Sequence, residues 1–368
     1  MGGAARSTHE LAAALHARGH HVATLTTIDE ATRTRAAHDR LLDASVRAGR
    51  IAVVGRPLRS AIDVVRTRVG RRRRVDPGRP YGAWRAAQPE HALGALLATD
   101  RFDAVVVNSV DRPAWRQIRA RLAAARIPSV YYLRERTTID HVGPEGVAPD
   151  RLLANATGHA DAADASGAPG AVVIPSIVDL GASRVESTRE RVVFVNPVPL
   201  FGLDIALVLA AARPDVPFTF ARSWPLDPAA EAELGAAVAS LPNVVVADRV
   251  DDVRDVYSAA RIVLVPYRHP GRPRVVAEAQ ASAIPVIGSD ADGTAEAIGP
   301  GGTVVPLDAP IDAWVAALGR LWDDADEYAR VVEATRVWGL RDDVDPERVV
   351  ARFEATVREL LANREAPS

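Results

Sequence analysis

The sequence predicts an α/β protein built on parallel sheets with helices on both faces. Short, wholly apolar, β-branched runs are typical of strands that are buried on both faces, and one of them spans Ile262–Pro266. These runs alternate along the chain with segments of helical periodicity, as parallel sheets require. The chain has 368 residues, of which 48% are hydrophobic, and this length suits two domains that each bury a core.

In the N-terminal half we expect helices over Thr8–Arg18 and Pro113–Arg126. The predicted strands of this half are Val22–Thr26, Ile51–Val54, Asp103–Asn108 and Ser129–Leu133. A doubly wound domain ordinarily begins with a strand, whereas this chain begins at the glycines Gly2 and Gly3. Either the natural start lies upstream, or the chain is truncated, or the sheet lacks a central strand; we favour the first.

In the C-terminal half a second series of strands and helices begins after a predicted linker near Pro175–Arg189. The predicted strands are Arg191–Val195, Phe218–Ala221, Val244–Ala247, Ile262–Pro266 and Ile284–Ile287. The predicted helices are Gly202–Ala212, Ala229–Ser240, Val253–Ala260, Arg274–Ala283, Ile311–Asp323, Ala325–Val337 and Pro346–Asn363. We therefore expect an N-terminal domain over 1–178, a C-terminal domain over 179–345 and a final helix over 346–368.

The loop after Ile262–Pro266 is predicted to bind an anion. A strand–loop–helix unit directs backbone N–H groups and the positive end of a helix at its ligand, and Pro273 suits the first helical position. Three arginines surround this helix end: Arg268, Arg272 and Arg274. In the helix, Glu278 is suited to bind the hydroxyls of a ribose, because a carboxylate accepts two neighbouring O–H donors. The alternative interpretation is an ordinary exposed glutamate.

Several segments occur in the order found in one large enzyme family. They are Gly2–Arg6, His9–Val22, Leu152–Thr157, Val173–Leu180, Phe194–Asp204, Leu241–Val245, Val275–Gly288 and Gly293–Glu296. The ordered set resembles the GT-B glycosyltransferases of retaining family 4, over most of residues 1–340. The resemblance implies two Rossmann-like domains facing each other across a cleft, with the C-terminal helix crossing back to the first domain.

The resemblance also implies a reaction. A hexosyltransferase of this type moves a sugar from a nucleotide-diphosphate sugar to a hydroxyl on a glycan, glycolipid or natural product, with retention and without a metal or other cofactor. For such a reaction we expect three catalytic residues, His141, Arg272 and Arg274. For His141, an exposed loop histidine is an equally open interpretation. We expect the nucleotide sugar to be bound by Gly2, Gly3, Asn196, Arg222, Arg268 and Glu278.

The chain departs from the family pattern at positions close to the expected chemistry. Phe201 stands where the family usually has lysine, and Pro270 stands where it has its first glutamate. The usual acceptor-domain motif is also replaced near Arg134-Glu135. Arg222 or the loop arginines are candidates to supply the missing charge. Two alternatives therefore stay open, a non-catalytic GT-B partner subunit of an active transferase and a GT-B nucleotide-sugar epimerase.

The composition excludes several classes of protein. A net charge of −2 argues against a general nucleic-acid binder. The sequence contains no cysteine, and all 45 of its cationic residues are arginine, which excludes thiolate and lysine Schiff-base chemistry. No apolar run reaches the length of a membrane span, so we expect a cytoplasmic protein. The basic run Arg71–Arg74 is either a solvated loop or a peripheral contact with anionic membrane.

Two motifs that suggest a metal are rejected. Asp290-Ala291-Asp292 lies in a glycine turn before a helix, where an aspartate is a natural N-cap. The histidines lack the paired spacing of a zinc site, because His20 and His21 would point to opposite faces of a strand. We therefore expect no metal.

Overall fold

The computed structural model describes most of the chain, in the ranges 3–27, 82–86, 93–94, 96–97, 102–108, 110–223, 226–250 and 252–365. Three sequence predictions lie outside these ranges: the backbone contact of Gly2, the strand Ile51–Val54 and the basic run Arg71–Arg74. Among the helices within these ranges, none combines the length and the apolar character needed to cross a membrane.

The described residues form parallel strands that alternate with helices. The strands are β1 (Ala23–Thr27), β2 (Gly82–Ala86), β3 (Val105–Val107), β4 (Ser129–Leu133), β5 (Arg151–Ala154), β6 (Val172–Val173), β7 (Arg191–Val195), β8 (Phe218–Ala221), β9 (Val244–Ala247), β10 (Ala260–Val265), β11 (Val286–Ser289) and β12 (Gly302–Val305). The helices are α1 (Gly3–Ala17), α2 (Arg112–Ala124), α3 (Thr157–Ala165), α4 (Leu180–Ser183), α5 (Leu203–Ala212), α6 (Pro228–Val238), α7 (Val253–Tyr257), α8 (Arg274–Ala281), α9 (Thr294–Ile298), α10 (Ile311–Asp323), α11 (Ala325–Trp338) and α12 (Pro346–Glu365).

The chain divides into two compact units. One unit contains residues 1–5, 155–159 and 173–349, and the other contains residues 6–154, 160–172 and 350–368. From Val350 onward, α12 therefore belongs to the unit that holds the N-terminal strands. Inside that unit, Glu359 of α12 pairs with Arg151 at 3.3 Å, and Glu354 pairs with His20 at 2.6 Å.

The C-terminal unit is built on a six-stranded sheet with the order β12-β11-β10-β7-β8-β9. Neighbouring strands run parallel; Val193 of β7, for example, lies opposite Val263 of β10 and Thr219 of β8. The central strands β7, β8, β10 and β11 are buried because they are apolar runs rich in β-branched and aromatic residues. Phe194 packs edge-on against Phe220 with their rings 5.3 Å apart. The chain first adds β8 and β9 on one side of β7, and then β10 to β12 on the other.

The N-terminal strands form a four-stranded sheet of order β3-β4-β5-β6 and a parallel pair of β1 with β2. All five residues of β4 are buried. Trp115 of α2 packs edge-on against Tyr131 of β4, with their rings 4.8 Å apart. The indole N–H of Trp115 donates to the carbonyl of Val147 at 2.8 Å, so this buried ring has a polar partner.

The predicted α/β fold with two Rossmann-like units is confirmed, and several elements have the predicted limits: β4, β7, β8, β9 and α10. The elements β2, β5, β6, β12 and α3 were not predicted. Among the predicted elements, the largest difference in limits is at α1, which begins at Gly3 rather than at Thr8. Arg6 and Glu10 pair at 3.2 Å across one helical turn, and this pair favours the earlier start. The predicted linker Pro175–Arg189 contains the short helix α4.

Candidate functional site at the carboxyl ends of β7 and β10

The strand order of the C-terminal sheet locates a candidate site. Ligands of parallel sheets bind outside the carboxyl ends of the strands, where the strand order reverses. In this sheet that point lies between β7 and β10. Residues 196–202 connect β7 to α5, residues 266–273 connect β10 to α8, and residues 290–293 connect β11 to α9. We call these three segments the switch-point loops.

The first two switch-point loops touch through a glycine. Gly202 has a left-handed backbone (φ +81°), and a Cβ added to it would lie 2.2 Å from the carbonyl oxygen of Pro266. Only glycine fits this approach. The backbone N–H of Arg268 also donates to the carbonyl of Leu200 at 3.2 Å. The loop after β7 and the loop after β10 are therefore held side by side.

The second and third loops are joined in a similar way. Gly271 donates its N–H to the carbonyl of Asp292 at 2.8 Å. A Cβ on Gly293, which also has positive φ, would lie 2.8 Å from the backbone of Gly271. The hydroxyl of Ser289 donates to the carbonyl of Tyr267 at 2.6 Å. The switch-point loops thus form one connected backbone platform at the carboxyl edge of the sheet.

Arg268 presents an accessible positive charge on this platform. Its two terminal nitrogens donate to the two carboxylate oxygens of Asp204, at 2.6 and 2.8 Å. The side chain is 42% exposed. The hydrogen bond from Arg268 holds the pKa of Asp204 below its ordinary value, and the pair likewise raises the pKa of Arg268. The predicted donor-binding residue Arg268 therefore lies at the switch point.

Asn196 lies at the end of β7 in a strained conformation. Its φ of +63° is left-handed, which asparagine tolerates better than most residues. Its side chain lies beside the hydroxyl of Tyr267, which donates to the carbonyl of Val195 at 3.1 Å. The Asn196 Oδ1 atom is buried without a hydrogen-bond partner. Strain and an unpaired polar atom are typical of functional positions.

Phe201, at the position where the family usually has lysine, packs on Tyr267 with their rings 4.4 Å apart. An aromatic contact therefore replaces the expected charge at this point of the platform. The nearby cation is Arg268, which follows Tyr267 in the chain.

Arg272 is buried, with 7% of its side chain exposed. It donates to Glu296 at 3.2 Å and pairs with Asp343. Asp343 also lies 2.7 Å from Arg341, whose pKa is lowered to about 10 by burial. Arg272 thus anchors the loop after β10 through ion pairs with two carboxylates that are distant in sequence, Glu296 and Asp343.

Arg274 and Glu278 form a buried ion pair on α8. Their side chains are 8% and 6% exposed, and an Arg274 nitrogen lies 3.4 Å from a Glu278 oxygen. The hydroxyl of Tyr257 donates to the other oxygen at 2.9 Å. Burial and the negative charge of Glu278 raise the pKa of Tyr257 well above its ordinary value. Glu278 is therefore not the exposed helical glutamate of the alternative interpretation.

A small cavity lies beside the start of α8. Arg272, Arg274 and Arg341 line it, together with Ser176 and Pro273. Arg274 also donates to the carbonyl of Ile177 at 2.9 Å, next to this cavity. The predicted catalytic arginines Arg272 and Arg274 are thus brought together, each paired with a carboxylate.

Arg222 lies at the carboxyl end of β8. It donates to Glu231 at 2.6 Å and to Asp248 at 2.9 Å. Its charge is compensated by two carboxylates in the structure, whereas the sequence predicted a replacement for the missing lysine charge.

His141 lies in the other unit, at the end of the turn Arg136–His141 that follows β4. It is 8% exposed, so the alternative interpretation of an exposed loop histidine is wrong. Its Nδ1 lies 3.1 Å from the hydroxyl of Tyr131, and its Nε2 lies 3.5 Å from Asp140. Burial raises the pKa of Tyr131 to about 12. Gly3, another predicted site residue, is the first residue of α1.

The aspartates of the Asp-Ala-Asp run have structural partners. Asp290 accepts from the backbone N–H of Leu307 at 2.9 Å. The N-cap of α9 is Gly293, not an aspartate as predicted, because the positive φ at this position favours glycine. Across the residues that the structure describes, no group of three acidic or histidine side chains is placed to hold a metal ion.

Sequence reasoning missed Asp204, Tyr257 and Asp343. Asp204 carries a usable signal, since it lies in the first turn of a helix that begins at the carboxyl end of a strand. Tyr257 and Asp343 carry none, because their partners are separated from them along the chain.

The fold and the site define a class of protein: two parallel α/β units, with the expected ligand position at the reversal of strand order in the C-terminal sheet. Solved structures with this fold include glycosyltransferases. The structure of HepE from Anabaena, in complex with UDP-glucose, is 15% identical, covers 93% of this chain and 100% of its own, and has a TM-score of 0.65. Sucrose-phosphate synthase from Thermosynechococcus elongatus is 14% identical, covers 93% of this chain and 99% of its own, and has a TM-score of 0.69.

A glycosyltransferase from Rickettsia africae is similar at 11% identity, covering 94% of this chain and 100% of its own, with a TM-score of 0.66. The model of the family described as "Glycosyl transferases group 1" matches residues 193–324. This segment runs from β7 through α10 and contains the switch-point loops. No curated protein sequence matches the chain.

Proposed function

We propose that this protein transfers a sugar from a nucleotide-diphosphate sugar to a hydroxyl acceptor, with retention at the anomeric carbon. The observation that carries the proposal is the exposed guanidinium of Arg268 on the platform at the β7–β10 switch point. The match of residues 193–324 to the group 1 glycosyltransferases supports it. So does the likeness to HepE, whose structures contain UDP-glucose, UDP and glucose.

The diphosphate of the donor would lie over the switch-point loops. Backbone N–H groups at the starts of α5 and α8 supply partial positive charge there, and Arg268 supplies a full charge that matches phosphate oxygens. Arg272 and Arg274 stabilise the loop through their ion pairs with Glu296, Asp343 and Glu278. The charge that develops on the leaving diphosphate is thereby stabilised without a metal.

The remaining roles follow the same chemistry. In a front-face reaction, the departing phosphate oxygen takes the proton of the acceptor hydroxyl as the new glycosidic bond forms on the same face. We assign the ribose hydroxyls to Glu278, further donor contacts to Asn196, Arg222 and the Gly2-Gly3 backbone, and contact with the sugar or acceptor to His141. The proposed setting is cytoplasmic, with a peripheral membrane contact through Arg71–Arg74.

Nucleotide binding tests the donor site directly. Calorimetry with UDP, GDP, ADP and dTDP should show one preferred nucleotide. R268Q should weaken its binding about tenfold, as loss of a charged hydrogen bond predicts. The matched control is R213Q, because Arg213 makes comparable forked bonds to Asp215 and Asp323 at the far end of α5. R213Q should bind like the wild type.

Sugar transfer tests the reaction. The preferred donor is incubated with hydroxyl-bearing acceptors, and NMR of the product reports whether the anomeric configuration of the donor is retained. An inverted product would contradict the proposed mechanism. Binding of none of the nucleotides would instead favour the non-catalytic partner subunit.

A further inference from the structure

The geometry points to Asp204 as a positioning residue for the phosphate-binding arginine Arg268, a role that rests on the proposed function. The two residues come from different sides of the switch point. Asp204 is in the first turn of α5, after β7, and Arg268 is in the loop after β10. Their forked ion pair therefore bridges the start of α5 and the loop after β10, on the two sides of the expected ligand position.

The pair is suited to orienting a side chain rather than to stabilising the fold. Asp204 is 62% exposed and Arg268 is 42% exposed, and exposed ion pairs contribute little to stability. An arginine on a loop would otherwise sample many rotamers, and a ligand would have to select one of them. The forked contact with Asp204 fixes the plane of the guanidinium before the ligand arrives.

Asp204 is itself held by a rigid element. It lies in the first turn of α5, where a negative charge is favoured. The fork to Asp204 uses two of the five N–H donors of the guanidinium. Arg268 can therefore bind a phosphate oxygen while Asp204 still holds it.

The other arginines of the loop do not have this arrangement. Arg272 and Arg274 are buried against Glu296 and Glu278, so their guanidinium groups are covered by protein and compensated by carboxylates. Arg268 is exposed and has its carboxylate on the neighbouring element. This contrast is why we assign a positioning residue to Arg268 in particular.

The inference predicts the direction in which D204N changes UDP binding. Asp204 carries a negative charge next to the proposed diphosphate, so its removal would strengthen binding if repulsion were the larger effect. If positioning is the larger effect, D204N weakens UDP binding, by about fivefold for a coupled pair. In the R268Q background, D204N should cause no further loss, because no arginine is left to position.

The experiment is a double-mutant cycle on UDP binding, measured by calorimetry on the full chain with D204N, R268Q and the double variant. Uridine is the second probe, since it has no phosphate. D204N should leave uridine binding unchanged, which a general loss of structure would not. D215N is the matched control, because Asp215 pairs with Arg213 away from the switch point.

The outcomes test the positioning role of Asp204 and the proposed function separately. Equal or tighter UDP binding by D204N would overturn the positioning role, and so would an undiminished loss in the R268Q background or an equal loss for uridine. A wild type that binds none of UDP, GDP, ADP and dTDP would overturn the proposed function, and the inference with it.

Discussion

The buried pair of Arg274 and Glu278 makes a strong prediction about stability. E278Q removes the counter-charge of Arg274, whose side chain is only 8% exposed, while an amide oxygen can still accept from Tyr257. Breaking a buried ion pair by removing one partner leaves an uncompensated buried charge. We therefore expect E278Q to lower the free energy of unfolding by about 3 kcal/mol.

Urea denaturation at neutral pH measures this loss. The double variant R274M/E278Q should recover most of it, because replacing both charges removes the need for compensation. The matched control is E333Q, since Glu333 pairs with Arg336 at 2.6 Å while both side chains are about 60% exposed. It should cost far less than E278Q, because the charges of an exposed pair are solvated by water. An E278Q loss no larger than that of E333Q would refute the reasoning.

Three other changes have expected outcomes. G202A should cost at least about 2 kcal/mol in urea denaturation, because its Cβ would meet a carbonyl at 2.2 Å, whereas G235A, with open space around it, should stabilise α6 by about 0.5–1 kcal/mol. N196A should lower the melting temperature, because alanine tolerates the left-handed backbone at this position less well than asparagine does; an unchanged or higher temperature would contradict this. The hydrogen bond from His20 lowers the pKa of Glu354, so its stabilising effect exists above the ordinary carboxyl pKa and is lost as the pH falls. Acid titrations of stability should consequently be steeper below about pH 4.5 for the wild type than for E354Q.

The sequence was most informative for elements whose limits are set by the residue types within the element itself. The strand Arg191–Val195 is a β-branched run that is buried on both faces, so its limits could be read directly. The start of α1 was less predictable, because Gly3 is a poor helix former and the helix still begins there. Gly3 is therefore the first residue of a helix rather than part of a preceding loop.

The position of the candidate site could be predicted from the sequence, but the side-chain contacts within it could not. The anion-binding loop after β10 and its arginines follow from the strand–loop–helix pattern. Which arginine is exposed does not follow, because the partners of Arg272 are Glu296 and Asp343, which only the folded chain brings near it. The ion pair of Arg268 with Asp204 likewise joins loops that are far apart in sequence.

The glycine contacts among the switch-point loops constrain how this protein can be re-engineered. Gly202 touches the loop after β10, and Gly271 of that loop touches Gly293 of the next. A change in the length of one loop would displace the others. Chimeras with proteins of similar fold should therefore exchange residues 196–204, 266–273 and 290–296 as a single block rather than one loop at a time.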